Sequence, residues 1–239
     1  MLRSLKDLET YSIHALDGDL GKLDQLFFDD DHWLVRYLVV KTGRFFHRAK
    51  ILISTHGLKK IDWPSHRFEV SLTRDQIERS PEIEIDQPPP RLKEIEYFNY
   101  YRWPYYWTNS GIWGVAPIEV IPSELNKADP HLRSTQSALE CKVQTGGTAL
   151  LGRVVDLLID DDRWTVKYLV IDTGTFRDSK MLLIPTDQVT EIDWASRSIS
   201  LDLSLDFFAG SPVYYPMAPH SRDFEQRMRD YYQKVKKVS

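Results

Sequence analysis

The hydrophobic and polar positions of this chain follow the same order twice. Leu20–Pro81 aligns without a gap with Leu151–Pro212, 131 positions later, and 25 of the 62 aligned pairs are identical. The shared core reads DDDxWxVxYLVxxTG at Asp29–Gly43 and again at Asp160–Gly174. An internal repeat of this length indicates two similar small domains in one chain, because two copies are too few for a solenoid.

The repeat is predicted to be mostly β-strand, because its segments are short and apolar or rich in Val, Tyr and Ile. In Trp33–Thr42 the residues Val35, Tyr37 and Val39 share one face, while the other face is polar at Arg36 and apolar at Leu38 and Val40, which predicts a strand covered on both sides over part of its length. The final strand of each copy alternates regularly and predicts burial of Phe68, Val70, Leu72, Ile199, Leu201 and Leu203. After the first copy, Thr73 and Gln76 have the spacing of a capping box, which predicts a short helix.

Five or six short strands with tight turns in about 65 residues predict a small closed or partly open barrel in each copy. The predicted fold is therefore mainly β, with two small β-barrels from an internal repeat, short helices and a C-terminal helix. The predicted boundaries are 1–86 for the first repeat, 87–130 for a linker rich in proline and aromatic residues, 131–216 for the second repeat and 217–239 for an amphipathic helix.

The pattern LGxxxDxxxDDxxWxVxYLVxxTG, followed by a basic residue before an apolar strand and then by IDW, resembles the PRC-barrel domain. The first copy carries the match at Leu20-Gly21, Asp29–Asp31, Trp33, Tyr37–Val39 and Gly43. That domain occurs in the cytoplasmic part of the photosynthetic reaction-centre H subunit and at the C-terminus of the ribosome-maturation factor RimM. The layout looks like the bacterial tandem PRC-barrel proteins, and the resemblance implies a non-catalytic barrel that docks onto other macromolecules.

Composition narrows the classes of function. The net charge of −4 means that the chain as a whole has no excess of basic residues of the kind that binds nucleic acid, so no nucleic-acid partner is expected. Cys141 is the single cysteine, which excludes an intramolecular disulfide and fits a reducing compartment. The N-terminal sequence lacks the apolar region of a signal peptide. No apolar run approaches the roughly 18 residues of a transmembrane helix, and we expect a cytoplasmic protein.

Candidate chemistry is sparse. Two aspartate triplets could hold a cation such as Ca²⁺ through Asp29, Asp30, Asp31, Asp160, Asp161 and Asp162. A solvated turn in which aspartates accept from nearby backbone N–H groups is the simpler interpretation. The histidines of the first copy are not repeated in the second, which favours scattered surface positions, with His47 or His56 left as a single-copy alternative. The sequence contains none of the common nucleotide or nucleophile motifs, so neither a cofactor nor a catalytic residue is predicted.

Two further segments are candidates for contact with a protein partner. The linker is unusually aromatic, and its rings either pack between the two barrels or present a platform at Tyr100, Tyr101, Trp103, Tyr105, Tyr106, Trp107 and Trp113. The C-terminal helix has a seam that either packs on its own barrel or forms a homodimer through Phe224, Met228, Tyr231, Val235 and Val238.

Together these features favour a non-enzymatic protein-binding or scaffold module. One alternative is an accessory protein that docks peripherally onto a membrane electron-transfer complex, as the H subunit suggests. A second alternative is a ribosome-associated factor, as RimM suggests.

Overall fold

The computed structural model describes residues 1–43, 46–85, 87–107, 127, 129–139, 141–145, 149–174, 180–216 and 222–233. The fold is mainly β, as predicted. The strands are β1 Leu2–Ser4, β2 Ser12–Ala15, β3 Gly18–Asp29, β4 Leu34–Thr42, β5 Lys50–Ser54, β6 Leu58–Asp62, β7 Arg67–Val70, β8 Leu132–Ser134, β9 Lys142–Thr145, β10 Ala149–Asp160, β11 Thr165–Asp172, β12 Met181–Pro185, β13 Val189–Asp193 and β14 Ser198–Leu201. The helices are α1 Leu5–Leu8, α2 Arg74–Glu78, α3 Arg91–Tyr101, α4 Thr135–Ala138, α5 Leu205–Ala209 and α6 Arg222–Gln233.

The chain forms two compact units, each with its own contacts. Unit 1 consists of Met1–Leu8, His32–Val35 and Thr135–Ser239, and unit 2 consists of Glu9–Asp31 and Arg36–Ser134. Within the described residues, no helix combines the length and the apolar character that crossing a membrane requires.

In unit 2 the strands are ordered β5-β4-β3-β2-β7-β6. The strands β2 and β7 are parallel, with Ile13 beside Phe68, whereas β6 and β7 form an antiparallel hairpin. The long strand β3 changes partner along its length, because its start pairs with β2 and its last three residues pair with β8. The sheet is lined by fully buried side chains, among them Phe27, Tyr37 and Phe68.

Unit 1 has the same strand order, β12-β11-β10-β9-β14-β13, again with one parallel pair, β9 and β14. The short strand β1 pairs with the end of β10, where Leu2 lies opposite Asp160. The residues Ile159, Val166 and Ile184 are fully buried.

The opening Leu-Arg-Ser segment of each repeat lies in the unit that is formed mainly by the other repeat. The first-repeat segment is β1, which pairs with β10 in unit 1, and the second-repeat segment is β8, which pairs with β3 in unit 2. The compact units therefore do not coincide with the sequence repeats. The sequence could not show this exchange, because the two Leu-Arg-Ser segments are identical and either could pair with either long strand.

Two equivalent glycines permit a close approach between strands. A Cβ atom at Gly21 would lie 2.1 Å from the carbonyl oxygen of Lys41, and one at Gly152 would lie 2.3 Å from that of Asp172. Real side chains do not tolerate such distances, so both positions require a residue without Cβ. This requirement explains why Leu-Gly recurs at the start of both copies.

The local predictions for the final hairpin and the following helix are confirmed. The six alternating hydrophobic residues of the last strands are all buried. Thr73 is the N-cap of α2, where its hydroxyl accepts from the Gln76 backbone N–H and the Gln76 side chain accepts from the Thr73 N–H. The capping box satisfies two N–H groups that a helix start would otherwise leave unpaired.

Candidate binding sites

The helix α3 packs on unit 2 immediately after the proline run. Pro90 is the N-cap of α3, and the helix ends at Tyr101, after which the C-cap residue Arg102 adopts the left-handed conformation. Tyr97 and Phe98 are buried, and the Tyr97 hydroxyl donates to the carbonyl oxygen of Leu52 at 2.8 Å. Part of the segment predicted to be a linker is thus a structural element of unit 2.

A charged cluster lies beneath α3. Glu94 is fully buried, and its Oε1 atom accepts hydrogen bonds from the hydroxyls of Tyr37 at 2.6 Å and Tyr106 at 2.7 Å. The guanidinium of Arg91 lies 2.8 Å from Glu94 Oε2 and also pairs with Asp129. A buried charge is tolerated only when it is paired and hydrogen-bonded in this way.

The cluster has perturbed protonation equilibria. Burial raises the pKa of Glu94, although the Arg91 guanidinium opposes this shift. Burial, reinforced by the charge of Glu94, raises the pKa of Tyr37 and that of Tyr106 well above the ordinary tyrosine value. Because Glu94 has no exposed surface and its contacts are internal, these groups stabilise the packing of α3 and do not offer an acid to a substrate in solution.

Most aromatic platform candidates cover the same region of unit 2. Tyr101, Trp103, Tyr105, Tyr106 and Trp107 are partly buried against a core cluster that includes Tyr37 and Phe98. Tyr100 is the exposed member, and Trp113 lies outside the described residues. The guanidinium of Arg36 lies 4.3 Å from the centre of the Tyr106 ring, and that of Arg91 lies 4.1 Å from the centre of the Trp107 ring.

The helix α6 is the counterpart of α3 in unit 1. The two helices begin at Arg91 and Arg222, and Glu94 recurs as Glu225 at the same offset of 131 positions. The Tyr100 hydroxyl donates to the Gln76 carbonyl at 2.9 Å, and the Tyr231 hydroxyl donates to the Phe207 carbonyl, its equivalent. The sequence reasoning missed this relationship, although the recurrence of Arg, Glu and Tyr-Tyr at the repeat offset was a usable signal.

In unit 2 side chains cover Tyr37, whereas in unit 1 the equivalent position is an open pocket. Tyr168, the counterpart of Tyr37, is only half-buried and lines a cavity of about 640 Å³, which we call the Tyr168 pocket. Its other lining residues include Lys167, Asp187, Glu225, Arg229 and Tyr232. Burial raises the pKa of Tyr168 and the carboxylate of Glu225 adds to the shift. The cavity has the size of an ordinary ligand site.

The candidate dimerisation residues lie on a helix that packs on unit 1. Met228 is fully buried, Phe224 and Tyr231 are half-buried, and Val235 and Val238 lie outside the described residues. The residue that anchors the helix is Tyr232, whose hydroxyl donates to the Leu183 carbonyl at 2.8 Å. The predicted seam did not include Tyr232.

The aspartate triplets bind groups of the protein itself. Asp30 contacts His131 at 3.0 Å and Arg133 at 3.2 Å, and Asp161 contacts Arg3 at 3.0 Å together with the N-terminal ammonium of Met1. The carboxylates of Asp29 and Asp160 each accept from the backbone N–H two residues later, as the turn interpretation predicts. Oxygen atoms of Asp160, Asp161 and Asp162 lie within 4.8 Å of one another, but Asp161 is already neutralised by two cations.

Neither His56 nor Cys141 has the surroundings of a catalytic group. The ring of His56 stacks on that of Trp103, and burial together with the charge of Arg36 lowers its pKa. The Cys141 side chain is buried and donates to the Ser137 carbonyl, and burial raises its pKa, which disfavours the reactive thiolate.

No protein-family model matches the chain, and no curated protein matches it.

Proposed function

We propose that the protein is a non-enzymatic binding or scaffold module, in which each unit is a barrel of the PRC type and the Tyr168 pocket receives a protein partner. The barrel assignment is supported by the identical strand orders of the two units and by the equivalent glycines, Gly21 and Gly152, where two strands approach closely. The tandem PRC-like motif in the sequence supports it as well.

The observation that carries the proposal is the contrast between two equivalent tyrosines. Tyr37 is fully buried under side chains of its own unit, whereas Tyr168 lines an open pocket. The lining of that pocket combines apolar ring surface with charged groups of both signs, which is typical of a surface that recognises another protein. No set of nucleophile, base and oxyanion donors is found together among the described residues, so binding explains the site better than catalysis does.

The proposal is tested by affinity capture from an extract of the cells that produce the protein. The immobilised full chain should retain at least one stoichiometric protein, and the K167A/E225A double variant should lose it. The matched control is Y215A, which removes an exposed aromatic of the same unit that does not line the pocket. Identical capture by the native chain and the double variant would contradict the proposal.

The identity of the retained protein separates the three hypotheses. A subunit of a membrane electron-transfer complex would favour the docking alternative, and a ribosomal protein would favour the RimM-like alternative. Any other soluble partner favours a general scaffold.

A further inference from the structure

We infer that the Tyr168 pocket binds a tyrosine side chain of the partner, with the tyrosine hydroxyl donating to Glu225 and its ring against Lys167. The inference rests on the proposed function and specifies the chemistry of the same pocket.

Unit 2 shows how a tyrosine can be bound at this position, because its own Tyr106 occupies the position that corresponds to the Tyr168 pocket. The Tyr106 hydroxyl donates to Glu94 at 2.7 Å, and its ring lies 4.3 Å from the guanidinium of Arg36. The Tyr106 and Tyr37 rings meet edge to face, with centroids 6.3 Å apart. The place therefore provides one acceptor, one cation over the ring and one aromatic wall.

Unit 1 provides the same three elements without an occupant from its described residues. Glu225, Lys167 and Tyr168 stand 131 positions after Glu94, Arg36 and Tyr37, and all three line the Tyr168 pocket. The carboxylate of Glu225 and the ammonium of Lys167 make no hydrogen bond or ion pair with any residue that the structure describes. Both groups are half-buried, so a partner that pairs them gains more than it would at an exposed position.

The chain does not offer its own tyrosine at the equivalent position. Tyr106 corresponds to Lys237, and positions 233–239 contain no aromatic residue. The residues that follow α6 therefore supply no ring at this place, and we assign the ring to another molecule. In place of the buried Phe98 the pocket has the exposed cation Arg229, which keeps its entrance polar and suits a residue presented from solution.

The charges in the pocket distinguish tyrosine from related side chains. A phenylalanine would leave the Glu225 carboxylate without a donor, and a buried acceptor without a donor is costly. A phosphotyrosine has no hydroxyl to donate, and its phosphate would bring about two negative charges next to Glu225, in a pocket whose three carboxylates are already matched by Arg163, Lys167 and Arg229. Unmodified tyrosine supplies the donor and the ring without added charge.

The probe is a fluorescein-labelled peptide that copies residues 102–107 (RWPYYW), the segment that covers Tyr37 in unit 2. Fluorescence anisotropy measures its affinity for the full chain. We expect the peptide to bind, and the analogue with Tyr106→Phe to bind about tenfold more weakly, as the loss of one hydrogen bond to a charged group predicts. A phosphorylated Tyr106 analogue should bind more weakly still.

The variant E225Q tests whether Glu225 accepts the hydrogen bond from the peptide tyrosine hydroxyl. This change should reduce the preference for the tyrosine peptide over the phenylalanine analogue, whereas Y215A should leave the preference unchanged. Circular dichroism checks that both variants are folded. Failure of the peptide to bind, equal affinity for the two peptides, or tighter binding of the phosphorylated form would overturn the inference. If the peptide fails while capture still depends on Lys167 and Glu225, the pocket binds a partner by other chemistry and the proposed function stands.

Discussion

Tyr100 and Tyr231 make the same hydrogen bond in two different units. The hydroxyl of Tyr100 donates to the carbonyl of Gln76, and that of Tyr231 donates to the carbonyl of Phe207. Both the donors and the acceptors are 131 positions apart in the sequence. The helices α3 and α6 therefore dock in the same way on the short helices α2 and α5, and the differences beneath them are differences of side-chain packing within the same arrangement of elements.

The clearest such difference concerns Glu94 and Glu225. The change E94A leaves two tyrosine hydroxyls beneath α3 without their acceptor and removes one of the two carboxylates paired with Arg91, and we expect it to lower the free energy of unfolding by about 3–5 kcal/mol. The equivalent change E225A removes a carboxylate that lines a pocket, and we expect an effect within about 0.5 kcal/mol. Urea unfolding followed by circular dichroism measures both.

The control for this comparison is E96Q, a change at another glutamate of α3. Glu96 is exposed and, among the residues that the structure describes, pairs only with Lys93, so its loss should be nearly neutral. If E94A and E225A destabilised the protein equally, Glu225 would support the packing of α6 as Glu94 supports that of α3. The difference that we describe between the two glutamates would then be wrong.

Strands were easier to predict from this sequence than the site. Period-two alternation identified the final hairpins because Phe68 and Ile199 each lie among buried positions two residues apart, and the Thr73 capping box is a purely local signal. The full burial of Tyr37 and the partial burial of Tyr168 could not be predicted, since the local sequence around them is nearly identical. What covers Tyr37 is Tyr106, which is 69 positions away. No periodic pattern in the sequence indicates a contact between two residues so far apart.

The two close-approach glycines give a test of the fold. G21A and G152A would each place a Cβ atom against a backbone carbonyl, which cannot move without opening the strand pair. We expect each change to lower the free energy of unfolding by roughly 1–3 kcal/mol or more. The control is G43A, because a Cβ at that position meets no atom within 4 Å. An equal response of all three variants to urea would argue against the close approach of the strands at Gly21 and Gly152.

His131 gives a prediction about pH. Its hydrogen bond to Asp30 raises the pKa of the imidazole above the ordinary value of 6.5. A histidine whose folded pKa is raised contributes stability that is present below the unfolded pKa and lost as pH rises through the folded pKa. D30N should bring the pKa of His131 back towards 6.5, and it should destabilise the protein more below that pH than above it. NMR titration of the His131 ring signal, assigned with H131Q, measures the shift, and an unchanged pKa in D30N would contradict it.

Asp161 holds the exchanged N-terminal strand in unit 1. Its side chain is nearly buried and contacts both the Met1 ammonium and Arg3, whereas its neighbour Asp162 is 86% exposed. We expect D161A to lower the free energy of unfolding by about 1–3 kcal/mol, the range for hydrogen bonds to charged groups, and D162A to change it by less than about 0.5 kcal/mol. Hydrogen exchange should show faster exchange in β1 and at the end of β10 for D161A alone.

Because Asp161 is already paired with two cations, millimolar Ca²⁺ should not raise the melting temperature of the native protein. A clear rise that D161A abolishes would instead assign a cation site to the triplet.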